Sequence, residues 1–398
     1  MSERSGRIGL VPPRFGREVI GGAEAVVADI GRGLAKRGWD VEILTTCARD
    51  HFTWANEYPE GVSSVDGMTV RRFPTQTDTD GRHRQHIGNA ILSGERVSLV
   101  DQQLWINDSL RVSGLWHHVA VHRADYRALV FAPYMFWTTF AVGQIAPEKT
   151  ILMPCLHDEP PARQEIFAPL FGGARGLWFL TRPEQELAEQ LFTLPRRRAE
   201  IGAGVAVPEH YDVDGFRSSH GLERDFFYYA GRREWGKGWT DLLATFEHYV
   251  GAGGQLDLVT SGVGDTGHPA HLAGRVHDVG LLSEDGRNAA MAGARAYVQP
   301  SALESFSLTV LEAWLAGTPV IANAASDVVS WHVERSGAGV RYRSLDELLG
   351  FLEVLGSDAQ LAGDLARTGR AYVLAHYRWE DVLDRVEQTL FEWTGAPS

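Results

Sequence analysis

Glu304 and Glu312, with seven residues between them, are the carboxylates of this chain best placed for chemistry. An apolar-rich segment, 294–299, runs into Pro300. A turn of small residues then carries Glu304, and a helix opening near Ser307 carries Glu312 in its second turn. The first N–H groups of a helix lack intrahelical partners and have the positive end of the helix dipole behind them. Such a start takes up an anion such as a diphosphate. A carboxylate on either side accepts hydrogen bonds from sugar hydroxyls. Diphosphate plus hydroxyls is the chemistry of a nucleotide sugar. The competing reading is a buried strand-to-helix turn with two incidental glutamates. It would leave Glu312 beside the apolar face of Leu308, Leu311 and Leu315 without a partner, at a cost in free energy.

Other residues could complete such a site. Gly231-Arg232-Arg233-Glu234-Trp235-Gly236-Lys237-Gly238 follows an expected strand at 226–230. Arg232 and Lys237 are suited to the charge that builds on a departing diphosphate, although a surface turn with solvated basic residues has the same composition. Gly262 and Gly264 either cradle phosphate or simply turn the chain. Gly21 and Gly22 precede a helix, where backbone N–H groups gather. His157 follows a strand, so in a parallel sheet it faces the ligand edge, where it could hold a sugar hydroxyl or position an acceptor. A capping or structural role for it stays open. No metal site is read. The adjacent His157, Asp158 and Glu159 rarely converge on one ion, and no second histidine stands four residues on.

These residues need strands and helices to hold them. Short apolar runs at 7–11, 41–46, 68–73, 128–132, 151–156 and 176–180 read as strands. Val26, Val27, Ile30 and Leu34 set the face of a helix closed by Gly38. Strand, glycine turn, helix, strand is a βαβ unit, which implies a parallel sheet with right-handed crossovers. The stretch 51–122 is poorly periodic and reads as an insertion with some helix. A polar linker is expected at 202–225. Strands then recur near 226–230, 256–260, 295–299 and 319–322. Helices recur near 239–250, 286–293, 307–316, 345–355, 358–374 and 379–394. The reading is an α/β chain of two Rossmann-like βαβ domains, 1–205 and 206–376, facing a cleft at the strand ends.

Composition agrees with two domains: 398 residues, 44% apolar and 22% charged. Residues 1–205 hold 23 Lys and Arg against 24 Asp and Glu, and 206–398 hold 15 against 27, so −12 of the net charge of −13 sits in the second half. That balance argues against a nucleic-acid partner. Cys47 and Cys155 read as buried thiols in a reducing compartment. No apolar run reaches the roughly 18 residues of a transmembrane segment. The start of the chain does not read as a signal peptide, and a cytoplasmic location is expected.

Glu304-x7-Glu312, Gly231-Arg232-x4-Lys237-Gly238, Gly21-Gly22-Ala23-Glu24 and Leu34-Ala35-Lys36-Arg37-Gly38-Trp39-Asp40-Val41 together resemble retaining glycosyltransferases of the GT-B fold, glycosyltransferase family 4 (glycosyl transferases group 1). The resemblance runs along nearly the whole chain, is strongest over 228–322 and is weakest over 51–125. It implies that Arg232 and Lys237 bind the donor diphosphate, Glu312 the ribose hydroxyls and Glu304 the hydroxyls of the transferred sugar. It assigns phosphate to the backbone N–H groups of Phe306, Ser307, Leu308 and Thr309, with help from the Thr309 hydroxyl. Gly22 would approach the phosphates from the first domain, and His157 would stand near the reacting sugar. The segment Val279-Gly280-Leu281 would read the base through its backbone. The last helix, about 377–398, would cross back onto the first, acceptor-binding domain. The family often has glycine where this chain has Ser307, which implies a tighter phosphate turn or an added hydroxyl.

The implied reaction is a hexosyltransferase-type transfer from a UDP- or GDP-type sugar to an acceptor hydroxyl, with retention and without a metal. No enzymic nucleophile is evident, so front-face attack is expected, with the departing diphosphate taking the acceptor proton. Retaining glycosidases differ, since one of their carboxyls becomes a covalent nucleophile. The acceptor could be a small molecule, a glycan or a lipid-linked sugar; neither it nor the oligomeric state is read. Two alternatives stay open: a GT-B-fold nucleotide-sugar epimerase and a non-catalytic nucleotide-sugar-binding partner. A dehydrogenase fits least, because Gly21-Gly22 lacks the third glycine of the dinucleotide fingerprint and no acidic residue ends the strand at Thr45-Thr46.

Overall fold

The computed structural model describes residues 4, 6–19, 21–76 and 81–395. The chain forms two compact units: Met1–Ala203 with Trp379–Ser398, and Gly204–Arg378.

The first unit is built on β1 (Arg7–Val11), β2 (Asp40–Thr46), β3 (Gly61–Val65), β4 (Met68–Phe73), β5 (Tyr126–Phe131), β6 (Thr150–Leu152), β7 (Gly176–Phe179) and β8 (Arg198–Glu200). They form one sheet in the order β3-β4-β2-β1-β5-β6-β7-β8. Every pairing is parallel except that of β3 with β4. The central strands are buried along nearly their whole length, as expected where helices cover both faces. Those helices are α1 (Gly22–Lys36), α2 (Arg82–Leu92), α3 (Leu99–Asn107), α4 (Ser113–His122), α5 (Trp137–Phe140), α6 (Ala168–Gly173) and α7 (Arg182–Leu191). The α1 stripe of Val26, Val27, Ile30 and Leu34 is buried as its spacing predicts.

Two expectations are corrected here. The stretch 51–122 is more ordered than an insertion with some helix: it supplies the β3–β4 hairpin and then α2, α3 and α4. The hairpin turns at Asp66 and Gly67, both at positive φ, the Asp-Gly signature of a two-residue loop. The strand expected over 151–156 is Thr150–Leu152 only. Cys155 has φ of +52°, which no strand residue adopts, so the chain leaves the sheet early.

The second unit is an all-parallel sheet in the order β11-β10-β9-β12-β13-β14. Its strands are β9 (Phe226–Ala230), β10 (Asp257–Ser261), β11 (Val276–Asp278), β12 (Ala296–Gln299), β13 (Val320–Asn323) and β14 (Gly339–Tyr342). Its helices are α8 (Val213–Ser219), α9 (Trp239–Gly251), α10 (Glu284–Gly293), α11 (Leu308–Leu315), α12 (Asp327–Ser336), α13 (Leu345–Ser357) and α14 (Ala359–His376). The expected linker at 202–225 therefore contains a helix, α8, capped by Asp212. Strand order reverses between β9 and β12, and in such sheets ligands bind beyond the carboxyl ends at that point. The loops leaving β9 and β12 are those that carry Arg232, Lys237 and Glu304.

The last helix, α15 (Trp379–Thr394), packs on the first unit, burying Val382, Leu383, Val386, Leu390 and Trp393. Glu387 of α15 receives Arg4 at 2.8 Å, Arg37 at 2.6 Å and the Trp39 indole N–H at 2.7 Å. The Trp178 indole donates to Thr389. Among the described residues, no helix is long and apolar enough to cross a membrane.

Candidate active site

In the second unit the loops after β9 and β12 meet closely. Lys237 Nζ lies 3.0 Å from Glu304 Oε1, with both side chains mostly buried. Gly238 makes this approach possible. Its φ is +72°, and a Cβ there would stand 2.5 Å from the Pro300 carbonyl oxygen. Asn323, at the end of β13, donates to the same carbonyl at 2.9 Å, so the turn that carries Glu304 is fastened from both sides.

Ser307 caps α11 in the left-handed region, at φ +65°. That explains why glycine suits the position. The Ser307 hydroxyl is buried and accepts the Gln299 amide N–H at 2.7 Å. Phe306 is buried edge-on against His332 and Tyr377, which anchors the turn. The buried Tyr297 phenol, its pKa pushed well up by burial, donates to the Ala230 carbonyl at 3.4 Å. The resemblance assigns phosphate to the backbone N–H groups at this helix start and to the Thr309 hydroxyl.

Glu312 requires a correction. The competing reading would leave it without a partner, yet Arg287 of α10 grips it bidentately, Nη2 at 2.9 Å and Nε at 3.1 Å. The burial cost that singled it out is therefore met within the fold, and its placement alone does not demand a ligand.

Arg232 stands 3.2 Å from Glu234 on a half-exposed side chain. Its neighbour Arg233, which the sequence reading passed over, is buried. Arg233 donates to the carbonyls of Gly264 at 2.8 Å and Gly262 at 3.2 Å and to Asp278 at 2.9 Å. It thus ties together the loops after β9, β10 and β11. Gly262 is the close approach in this arrangement: at φ +131°, its Cβ would lie 2.0 Å from the Gly231 oxygen. Gly262 and Gly264 are accounted for by packing on 231–233. Gly262 N–H also donates to the Gly280 carbonyl, and Asp278 accepts from Gly280 N–H, which fixes the turn before the exposed Leu281. Two arginines in succession on an irregular loop were the signal for Arg233, since adjacent side chains there seldom share one environment.

In the first unit, α1 starts at Gly22 with Gly21 as an N-cap that offers no side-chain hydrogen bond. Glu24, in the first turn of α1, pairs with the buried Arg14 at 2.5 Å, and Arg14 also donates to the Arg49 carbonyl at 3.1 Å. This pair, also unread in the sequence, shapes the glycine loop. His157 Nδ1 lies 3.2 Å from Glu159 Oε1, and the buried Tyr134 phenol donates to that oxygen at 3.1 Å. Asp158 turns instead to Arg163, at 2.6 Å. His157, Asp158 and Glu159 therefore do not converge. Among the described residues, no three His, Cys, Asp or Glu side chains are grouped to hold a metal ion.

Residues 224–349 match the family described as Glycosyl transferases group 1, a segment that contains Arg232, Lys237, Glu304 and Glu312. No curated protein sequence matches the chain. Among solved structures, sucrose-phosphate synthase from Thermosynechococcus elongatus is similar at a TM-score of 0.75 and 18% identity, over 96% of this chain and 98% of that one. HepE from Anabaena, in complex with UDP and glucose, gives 0.69 and 16%, over 98% and 100%. WaaG, a glycosyltransferase involved in lipopolysaccharide biosynthesis, gives 0.68 and 16%, over 98% and 100%. At these identities the likeness is one of fold, and the fold is GT-B: two Rossmann-like α/β domains with a last helix returned to the first.

Proposed function

We propose that the chain is a retaining glycosyltransferase of family 4, moving a sugar from a nucleoside diphosphate to an acceptor hydroxyl without a metal. The observation that carries this reading is the Lys237–Glu304 pair beside the start of α11, at the strand-order reversal of the second sheet. A cation for the diphosphate and a carboxylate for sugar hydroxyls stand 3.0 Å apart.

Arg232 and Lys237 neutralise the charge that gathers on the diphosphate as the glycosidic bond breaks. The N–H groups at 306–309 bind its oxygens. Glu304 orients the transferred sugar. Glu312, braced by Arg287, keeps lone pairs for the ribose hydroxyls. The backbone of Val279, Gly280 and Leu281 reads the base. In the first unit, Gly21 and Gly22 leave room for the phosphates, and His157 takes a hydroxyl of the reacting sugar. Attack comes from the face the diphosphate leaves, which accepts the acceptor's proton, so the anomeric configuration is kept. UDP is the first donor base to test, because HepE was crystallised with UDP and glucose.

The test is to incubate the protein with UDP-, GDP- and dTDP-sugars and measure the nucleoside diphosphate released, with and without a chelator. Turnover unchanged by the chelator is expected. Complete loss in chelator overturns the metal-free reading. Conversion of the nucleotide sugar with no acceptor consumed favours an epimerase, and binding without turnover favours a non-catalytic partner.

A further inference from the structure

Glu184, in the first turn of α7, is almost wholly buried. Its Oε1 accepts the Leu156 N–H at 2.7 Å and its Oε2 the Leu180 N–H at 2.6 Å. One carboxylate thus joins the loop leaving β6 to the end of β7. Leu156 lies between Cys155, at φ +52°, and His157. A non-glycine residue holds such a backbone only when its surroundings enforce it. The bond from Glu184 to the next amide is such a constraint.

We propose that Glu184 is the positioning residue for His157, and that it does so as the ionised carboxylate. This rests on the reading of His157 as a group beside the reacting sugar. A carboxylate accepts on both oxygens and carries no proton, whereas a carboxylic acid carries a proton on one oxygen and accepts more weakly there. Protonation therefore weakens the bond to either Leu156 or Leu180. Burial pushes the Glu184 pKa up to about 7, against the pull of the backbone N–H groups and of His157. Among the described residues the buried Cys155 thiol also faces it, and burial together with the charges of Glu184 and Glu24 holds that thiol protonated. The clamp therefore changes state near neutral pH. Glu184→Gln, with one carbonyl and one NH2, mimics the protonated form at every pH.

The test is kcat and donor KM of wild type, Glu184→Gln and Glu184→Asp between pH 5.5 and 8.5, with folding checked by circular dichroism. Wild-type kcat should rise with pH through about 7. The Gln variant should stay low throughout, about 10–100-fold down at pH 8.5 and close to wild type at pH 5.5. Donor KM should move less than kcat, since Arg232, Lys237, Glu304 and Glu312 of the second unit are untouched. The Asp variant, charged but one methylene shorter, should fall between the two. A Gln variant with wild-type kcat and pH profile overturns the proposal. If the Gln variant does not fold, an Asp variant with the wild-type acid limb and kcat does the same.

An NMR titration of His157, assigned with His157→Ala, gives a readout that needs no turnover. Loss of the neighbouring charge in the Gln variant should lower the His157 midpoint, and an unchanged titration overturns the proposal. Absence of turnover of any nucleotide sugar by wild type sinks the transferase reading alone.

Discussion

Lys237 and Glu304 form one unit, because each neutralises the other until a donor arrives. A diphosphate would draw Lys237 and sugar hydroxyls would draw Glu304, so losing either leaves the remaining charge misplaced. Lys237→Ala is expected to lower kcat/KM for the nucleotide sugar by about 10²–10³-fold, the usual cost of removing one donor to developing charge. Glu304→Gln should act mainly on kcat. The double variant should lose much less than the product of the two, as expected for coupled groups. Steady-state kinetics on the four proteins checks this, and unchanged rates for either single variant overturn the assignment. Each of the two was legible in the sequence from its residue type and its loop; their pairing across 67 positions was not. Nor were the partners that set their surroundings. Arg287 lies 25 positions before Glu312, and Gln299 takes up the Ser307 hydroxyl; both contacts arise only when strands and helices are packed.

Elements bring these residues together, and Gly238 is where two of them touch. Its positive φ and the 2.5 Å separation between a built Cβ and the Pro300 oxygen mean that Gly238→Ala must both strain the backbone and push the Glu304 turn away. We expect a loss of more than about 1 kcal/mol in stability, since alanine at positive φ is disfavoured. Activity should fall beyond what the lowered melting temperature explains. Thermal unfolding alongside kinetics well below the transition separates the two effects, and a variant of unchanged stability overturns this account of the turn. The long helices and fully buried strands were readable because their apolar periodicity is set by the chain itself. Two of the three-residue strands, β8 and β11, carry no such period, and their pairing is decided by neighbours. The β3–β4 hairpin was readable in principle from Asp66-Gly67, but β3 is exposed along most of its length, so no apolar alternation marked it.

At the scale of the whole molecule, the chain leaves its second unit and returns to the first through α15, and the fastening depends on Glu387. The apolar stripe from Val382 to Trp393 was visible in the sequence as a helix face; what it covers was implied only by resemblance. Burial of such side chains stabilises by roughly 1.5–3 kcal/mol each, so the helix is a principal support of the first unit. Burial alone would raise the Glu387 pKa, but hydrogen bonds from Arg4, Trp39 and Arg37 outweigh it and hold it below the usual glutamate value. A depressed pKa gives stability that is complete above the unfolded value of about 4.3 and is lost as the pH falls through the folded one. Glu387→Gln keeps the shape and removes the charge. It should therefore lower stability at pH 7 by roughly 1–3 kcal/mol, the scale of hydrogen bonds to a charged group. The deficit should shrink as the pH falls below the unfolded value and the wild-type carboxylate takes up its proton. Melting temperatures of the two proteins from pH 3 to 8 measure it directly. Parallel curves across that range would mean that α15 is held by its apolar face alone.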